Sequence, residues 1–201
     1  MRLKPLLVVV TLVLLAMSAP TFAQNLVSNG SFETGDFTGW TTTGNFEFSQ
    51  VTSGAFYVYT GAQDGSFYST YGPVGSPGGI SQTLATNPGS QYTFSFWLAA
   101  NGDDPSSFSA TWNGTTVLSL TDPNTGGAWM QYSFTETGTG NDTIGFNFQD
   151  DPEYIALDNV VVSAASTSTT TTGTTPEPSS IMLLGTGVLA VGGIIRRKFR
   201  A

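Results

Sequence analysis

The middle of this 201-residue chain predicts an all-β fold, a β-sandwich of short strands. Three observations lead there. The chain is rich in turn formers, with 24 Gly and 10 Pro, which cut it at intervals of roughly a dozen residues. No long stretch carries a 3.6-residue apolar period. Period-two alternation is present instead, which marks a strand with one buried face.

The strands read as follows. In Tyr92–Leu98, one face holds Tyr92, Phe94, Phe96 and Leu98, and the other Thr93, Ser95 and Trp97. Phe108–Trp112 and Thr116–Leu120 flank Asn113-Gly114, a dipeptide suited to a two-residue turn, so they form a hairpin. Met130, Tyr132 and Phe134 share a face, as do Ile144, Phe146 and Phe148. Tyr154–Val162 is apolar on both sides and reads as a buried central strand. Roughly eight to eleven strands of this kind make one domain over residues 24–163. Aromatic burial must hold it, at about 1.5–3 kcal/mol per large side chain, because the chain has no Cys. Trp40 and Trp112 are assigned to that packing.

Charge is segregated. All six basic residues lie at the ends: Arg2, Lys4, Arg196, Arg197, Lys198 and Arg200. All 14 acidic residues fall between them, so the body carries a formal charge of −14. A body without cations cannot neutralise phosphates, which excludes nucleic acid as a partner. It offers no His or Lys base and no Arg clamp for phosphoryl transfer. It has no thiol for catalysis or zinc. Only a two-carboxylate glycosidase stays open to this side-chain set, and no pair is marked out, so the expectation is a protein that is not an enzyme. Asp103-Asp104 and Asp150-Asp151, each before Pro, read as solvated turns.

The ends read as addresses. Residues 1–23 have a basic start, a short apolar run Leu6–Met17 and a small-residue site, Thr21-Phe22-Ala23. This is the pattern of a helical signal peptide, set against a retained anchor helix. Residues 164–175 are a Ser/Thr-rich linker with nothing to bury. Residues 176–201 then run Pro176-Glu177-Pro178, an apolar stretch at 181–195, and the basic tail. As a helix, 181–195 rises only ~22 Å, marginal against a ~30 Å hydrocarbon core. Arg196, Arg197, Lys198 and Arg200 then act as a cytoplasmic membrane stop.

This end resembles the PEP-CTERM sorting signal of Gram-negative bacteria, in its P-E-P-S-S start, its Leu-Leu-Gly-Thr-Gly interior and its arginine-rich tail. The resemblance implies processing by an exosortase near Pro176, Glu177 and Pro178, transient inner-membrane anchoring, and a final place at the cell surface or in an extracellular matrix. An ordinary short tail anchor is the alternative. The body is similar to galactose-binding-like jelly rolls of the carbohydrate-binding-module type. The likeness lies in Asn25–Glu33 with Gly39-Trp40, in Tyr71–Ser76 with Ile80–Leu84, in Phe94–Ala99, and in Asp151–Tyr154 before Leu157–Val160. It covers nearly all of 25–163.

The resemblance implies one structural Ca²⁺ held by Glu33 and Asp158, with backbone carbonyls near Asn29 and Ser31, and with Glu47 or Asp64 as a further ligand. The alternative is that Glu33 caps a strand end and Asp158 makes turn hydrogen bonds. Sugar binding needs a flat aromatic with amides at its edge. Trp97 stands opposite the Phe94/Phe96 face, and Trp129, Gln131 and Asn147 are read as sharing its surface. Against that, Trp97 and Trp129 are equally read as covered by a loop. The expected function is an exported, non-catalytic module that binds exopolysaccharide. The alternative is a structural biofilm protein without a sugar pocket.

Overall fold

The computed structural model describes residues 24–102, 104–151 and 153–165. The expected signal peptide, anchor helix and basic tail, the sorting motif, and all of the expected linker but residues 164–165 lie outside them. The described residues form ten strands and no helix, and β10 ends at Ala164, just past the expected domain end.

The strands are β1 (Thr41–Gly44), β2 (Gln50–Ser53), β3 (Phe67–Tyr71), β4 (Gly78–Ala85) and β5 (Gln91–Ala99), then β6 (Ser106–Trp112), β7 (Thr115–Thr121), β8 (Met130–Thr137), β9 (Asn141–Asp150) and β10 (Ile155–Ala164). They make two five-stranded sheets, ordered β1-β4-β9-β6-β7 and β2-β3-β10-β5-β8. Tyr154–Val162 was expected to be central, and β10 is the middle strand of the second sheet. The expected hairpin joins β6 to β7, with Asn113 and Gly114 at φ 51° and 76°.

Alternation decides what faces what. Phe94, Phe96, Leu98, Phe108, Ala110, Ile144, Phe146, Phe148, Leu157, Val160 and Val162 point between the sheets and are buried in one cluster. Trp40 and Trp112 join it, as the sequence reading assigned. Edge-to-face rings are frequent, as between Phe96 and Phe146, with centroids 5.0 Å apart. Gln82 also points inward from β4. Its carbonyl accepts from the Ser28 N–H at 2.7 Å, and its amide donates to the Ser28 and Gly39 carbonyls at 3.0 and 2.9 Å. A buried amide satisfied in this way ties the N-terminal segment to the first sheet.

Every pairing is antiparallel. Odd-numbered strands therefore run one way and even-numbered strands the other. The loops at 45–49, 72–77, 100–105, 122–129 and 151–154 all follow odd strands, so they gather at one end of the sandwich. The connection at 54–66 starts from the opposite end and folds back over the outer face of the second sheet. Tyr68 donates to the Gly54 carbonyl at 3.1 Å, and Trp129 Nε1 to the Gly61 carbonyl at 3.0 Å. The Tyr59 hydroxyl donates to the Tyr154 carbonyl. Beneath this strap lies a second apolar cluster of Tyr59, Tyr68, Ala99 and Ala156, with Phe56, Trp129 and Tyr154 packed against it.

Asp150 departs from its sequence reading. The sequence pattern predicts a solvated turn there, but Asp150 ends β9 and is buried. Asp103 lies outside the described residues.

Candidate functional site

The strap at 54–66 organises everything near the sequence-selected acids. Asp158 is 0% exposed. Its Oδ2 accepts from the backbone N–H of Gln63 and Asp64 at 2.7 and 2.9 Å, and its Oδ1 from that of Asn159 at 2.6 Å. Glu33 Oε1 accepts from the N–H of Ser66 and Phe67, both at 2.8 Å. The Ser31 hydroxyl donates to Asp64 Oδ2 at 2.9 Å. Glu33, Ser31, Asp64 and Asp158 thus converge on one segment, 63–67. The link between the two carboxylates is peptide N–H, a partner the sequence does not display.

Two expected metal ligands are engaged elsewhere. The Asn29 carbonyl accepts from Phe32 N–H at 3.2 Å and Trp40 Nε1 at 3.1 Å. Its side chain is spent on Thr34, Asp36 and Thr38. Glu47 sits in the β1–β2 loop at the other end of β3 from Glu33, in a turn closed by Asn45 Oδ1. Among the described residues no three Asp, Glu, His or Cys side chains form a ready-made metal set. The donor chemistry still suits a hard cation, since Glu33 Oε2 takes part in no hydrogen bond there and every nearby ligand atom is oxygen. Burial pushes the Asp158 carboxyl up to about 7 and the Asp64 charge adds to that, against the pull of the three N–H bonds. A cation would relieve this uncompensated charge.

Strand register places the candidate sugar residues. Trp97 on β5 is paired on one side with Asp158 of β10 and on the other with Gln131 of β8. All three therefore project from the outer face of the second sheet. Trp97 is half-buried, touches no other ring and donates to no protein group among the described residues, and Gln131 is exposed. Ser95, Ser133, Thr93 and Thr135 follow on the same face. Trp97 and Gln131 thus form an indole beside an amide, with hydroxyls running away from it.

Trp129 also sits on this face, but it packs under the strap against Tyr59 and Tyr68, with its N–H spent on Gly61. Its loop-covered reading is the one the geometry follows. Asn147 does not join them. It lies on β9, in the first sheet, opposite Gly79 and Ser109, and so faces away on the other outer surface. Alternation orders residues within a strand, but it does not say which sheet the strand enters.

Sequence reasoning missed a cleft at the end where the odd-strand loops gather. It has a volume of about 200 Å³ and is lined by Phe48, Gly72, Val74, Asp151, Glu153 and Tyr154. Loop aromatics carry no periodicity, so nothing in the sequence marked Phe48 or Tyr57 as exposed.

Two family models match the chain. One, described as a carbohydrate binding domain, matches residues 24–153. The other, the PEP-CTERM protein-sorting motif, matches residues 174–198. No curated protein matches. Among solved structures the chain is similar to TmCBM61 in complex with beta-1,4-galactotriose, at 16% identity and a TM-score of 0.58, covering 71% of this chain and 99% of that one. It is similar to the CBM22-1 and GH10 modules of Clostridium thermocellum endo-1,4-beta-D-xylanase 10B complexed with xylohexaose, at 16% identity and TM-score 0.51, covering 71% and 29%. It is also similar to a cyclase from Fischerella sp. TAU, at 15% identity and TM-score 0.52, covering 69% and 95%. Identities this low speak for the fold, a two-sheet jelly roll, and one such fold hosts binding and catalysis alike. The family match over residues 24–153 goes further than the shared fold: the chain belongs to the carbohydrate-binding domain family, and it ends in a PEP-CTERM sorting motif.

Proposed function

We propose that this is an exported, non-catalytic surface or matrix protein whose second-sheet outer face binds exopolysaccharide. The observation that carries it is the register of Trp97 with Gln131. A pyranose face stacks on the partly exposed indole while the Gln131 amide and the adjacent hydroxyls pair with its hydroxyl groups. Side chains on a central strand are held more rigidly than loop side chains, so little order has to be imposed on binding. Trp97→Ala is expected to weaken retention on polysaccharide columns at least tenfold, with the melting temperature within a few degrees of the parent. Retention unchanged in Trp97→Ala removes this face from the function. No retention of the parent protein on any exopolysaccharide leaves the structural matrix reading in its place.

Calcium belongs to this proposal as a stabiliser of the strap through Glu33, Asp64 and Asp158, and its test is given with the acid titration below. The terminal motif adds a route. The apolar stretch at 181–195 holds the chain in the inner membrane until an exosortase cuts near Pro176-Glu177-Pro178. Deleting Pro176–Pro178 should leave full-length protein in the membrane fraction on an immunoblot. Normal processing of that variant would refute the sorting route without touching the glycan site.

A further inference from the structure

The cleft between the β1–β2, β3–β4 and β9–β10 loops has a chemistry that the sheet face lacks. Phe48 is 60% exposed and Tyr57, whose ring meets that of Tyr154, 59%. Both stand at left-handed backbone, φ 56° and 57°, a conformation that bulky residues rarely adopt. Tyr154 lines the floor, and its ring meets those of Phe56 and Tyr57 at 5.0 and 5.9 Å. Two carboxylates, Asp151 and Glu153, open onto the same space. Glu153 is oriented by the Tyr57 hydroxyl, which donates to its Oε1 at 2.6 Å, and by the Asn101 amide, which donates to its Oε2.

Between residues 6 and 195 the chain has no Lys, Arg or His. Aromatic faces beside two carboxylates attract a cation carried on a flat ring-stacking body. The volume is below the ~300–1,000 Å³ of a drug-sized site, which suits one sugar unit of a chain. We propose that this cleft is a second glycan site, selective for an amine-bearing polysaccharide, one with unacetylated hexosamine units. The sugar ring packs on Tyr154 and Phe48, and its ammonium pairs with Asp151 and Glu153.

This inference rests on the carbohydrate-binding reading, and the two fail separately. The experiment is calorimetric titration of the purified full chain at pH 6 and low salt. The probes are glucosamine hexamer, N-acetylglucosamine hexamer and hexalysine. The glucosamine hexamer is expected to bind at least tenfold more tightly than either of the others. Asp151→Asn/Glu153→Gln should lose at least tenfold of that affinity. Because Glu153 also holds Tyr57 and Asn101, Asp151→Asn alone is measured too, with an expected loss of at least threefold and an unchanged melt. Equal binding of the two sugars, hexalysine as good as the amine sugar, or carboxylate variants that bind as the parent does overturns the inference. Failure of the amine hexamer alone, with neutral glycans still bound, sinks this site and spares the sheet face.

Discussion

With a chelator present, the folded body should be more stable at pH 5 than at pH 7.5, by about 2–3 kcal/mol. The cause is Asp158. It is 0% exposed and its carboxyl is pushed up to about 7, first by burial and then by the Asp64 charge, although three backbone N–H groups pull the other way. In the unfolded chain it titrates near ~3.9. The folded state therefore holds a proton that the unfolded state has released between roughly pH 4 and 7. Stability falls as pH rises through that window, at up to ~1.4 kcal/mol per pH unit, and is level above it. Repulsion within a folded body that carries 13 acidic and no basic residues has the same sign. Urea titrations with EDTA at both pH values measure the difference. Stability that is flat or rises with pH would mean that the N–H groups of Gln63, Asp64 and Asn159 alone keep the carboxylate ionised. Calcium adds a second arm. A cation binds the ionised form, so it should raise the midpoint more at pH 7.5 than at pH 5. No shift at either pH removes calcium and leaves the acid effect standing.

Asp142→Ala should cost about 3–5 kcal/mol. Asp142 is 0% exposed at the start of β9. It accepts from Thr139 N–H at 2.8 Å and the Thr139 hydroxyl at 2.7 Å, from the Thr86 hydroxyl, and from the Asn113 amide. Those partners sit in the β4–β5, β6–β7 and β8–β9 connections, so one carboxylate gathers three turns. Removing it strands a backbone N–H and a side-chain amide, at ~1–3 kcal/mol for each buried donor left unmade. Burial pushes this carboxyl up, but the bonds from Thr86, Asn113 and Thr139 outweigh that and hold it well below the usual carboxylate range. Its contribution is therefore present above pH ~4 and is lost as pH falls below that. Together with Asp158 this puts the calcium-free stability maximum near pH 4–5. Guanidinium melts of Asp142→Ala and Asp142→Asn test the network. A loss under ~1 kcal/mol for Ala would show that the turns close without it.

The strands that could be read in advance are the ones with two unlike faces. β5 alternates Phe94, Phe96 and Leu98 against Thr93, Ser95 and Trp97, and β9 does the same with Ile144, Phe146 and Phe148. β1 and β2, TTTG and QVTS, were not legible. All four residues of β1 are exposed, and short edge strands without a buried face carry no alternation. The candidate site divides along the same line. Trp97 faces outward because its neighbours in sequence face inward. Asn147 obeys the same rule within β9 and still lands on the opposite surface, because sheet membership is a long-range pairing.

By itself the sequence determined the all-β class, the aromatic core, the central place of β10 and the outward face of Trp97. These follow from side-chain type and period, which act over a few residues. The tertiary structure decided that the 54–66 strap folds over the second sheet, that Asp158 and Glu33 meet through its N–H groups, that Trp129 lies beneath it, and that Phe48, Tyr154, Asp151 and Glu153 open one cleft. Each of those joins segments far apart in the chain, and the backbone donors and loop rings that make the joins leave no periodic mark in the sequence.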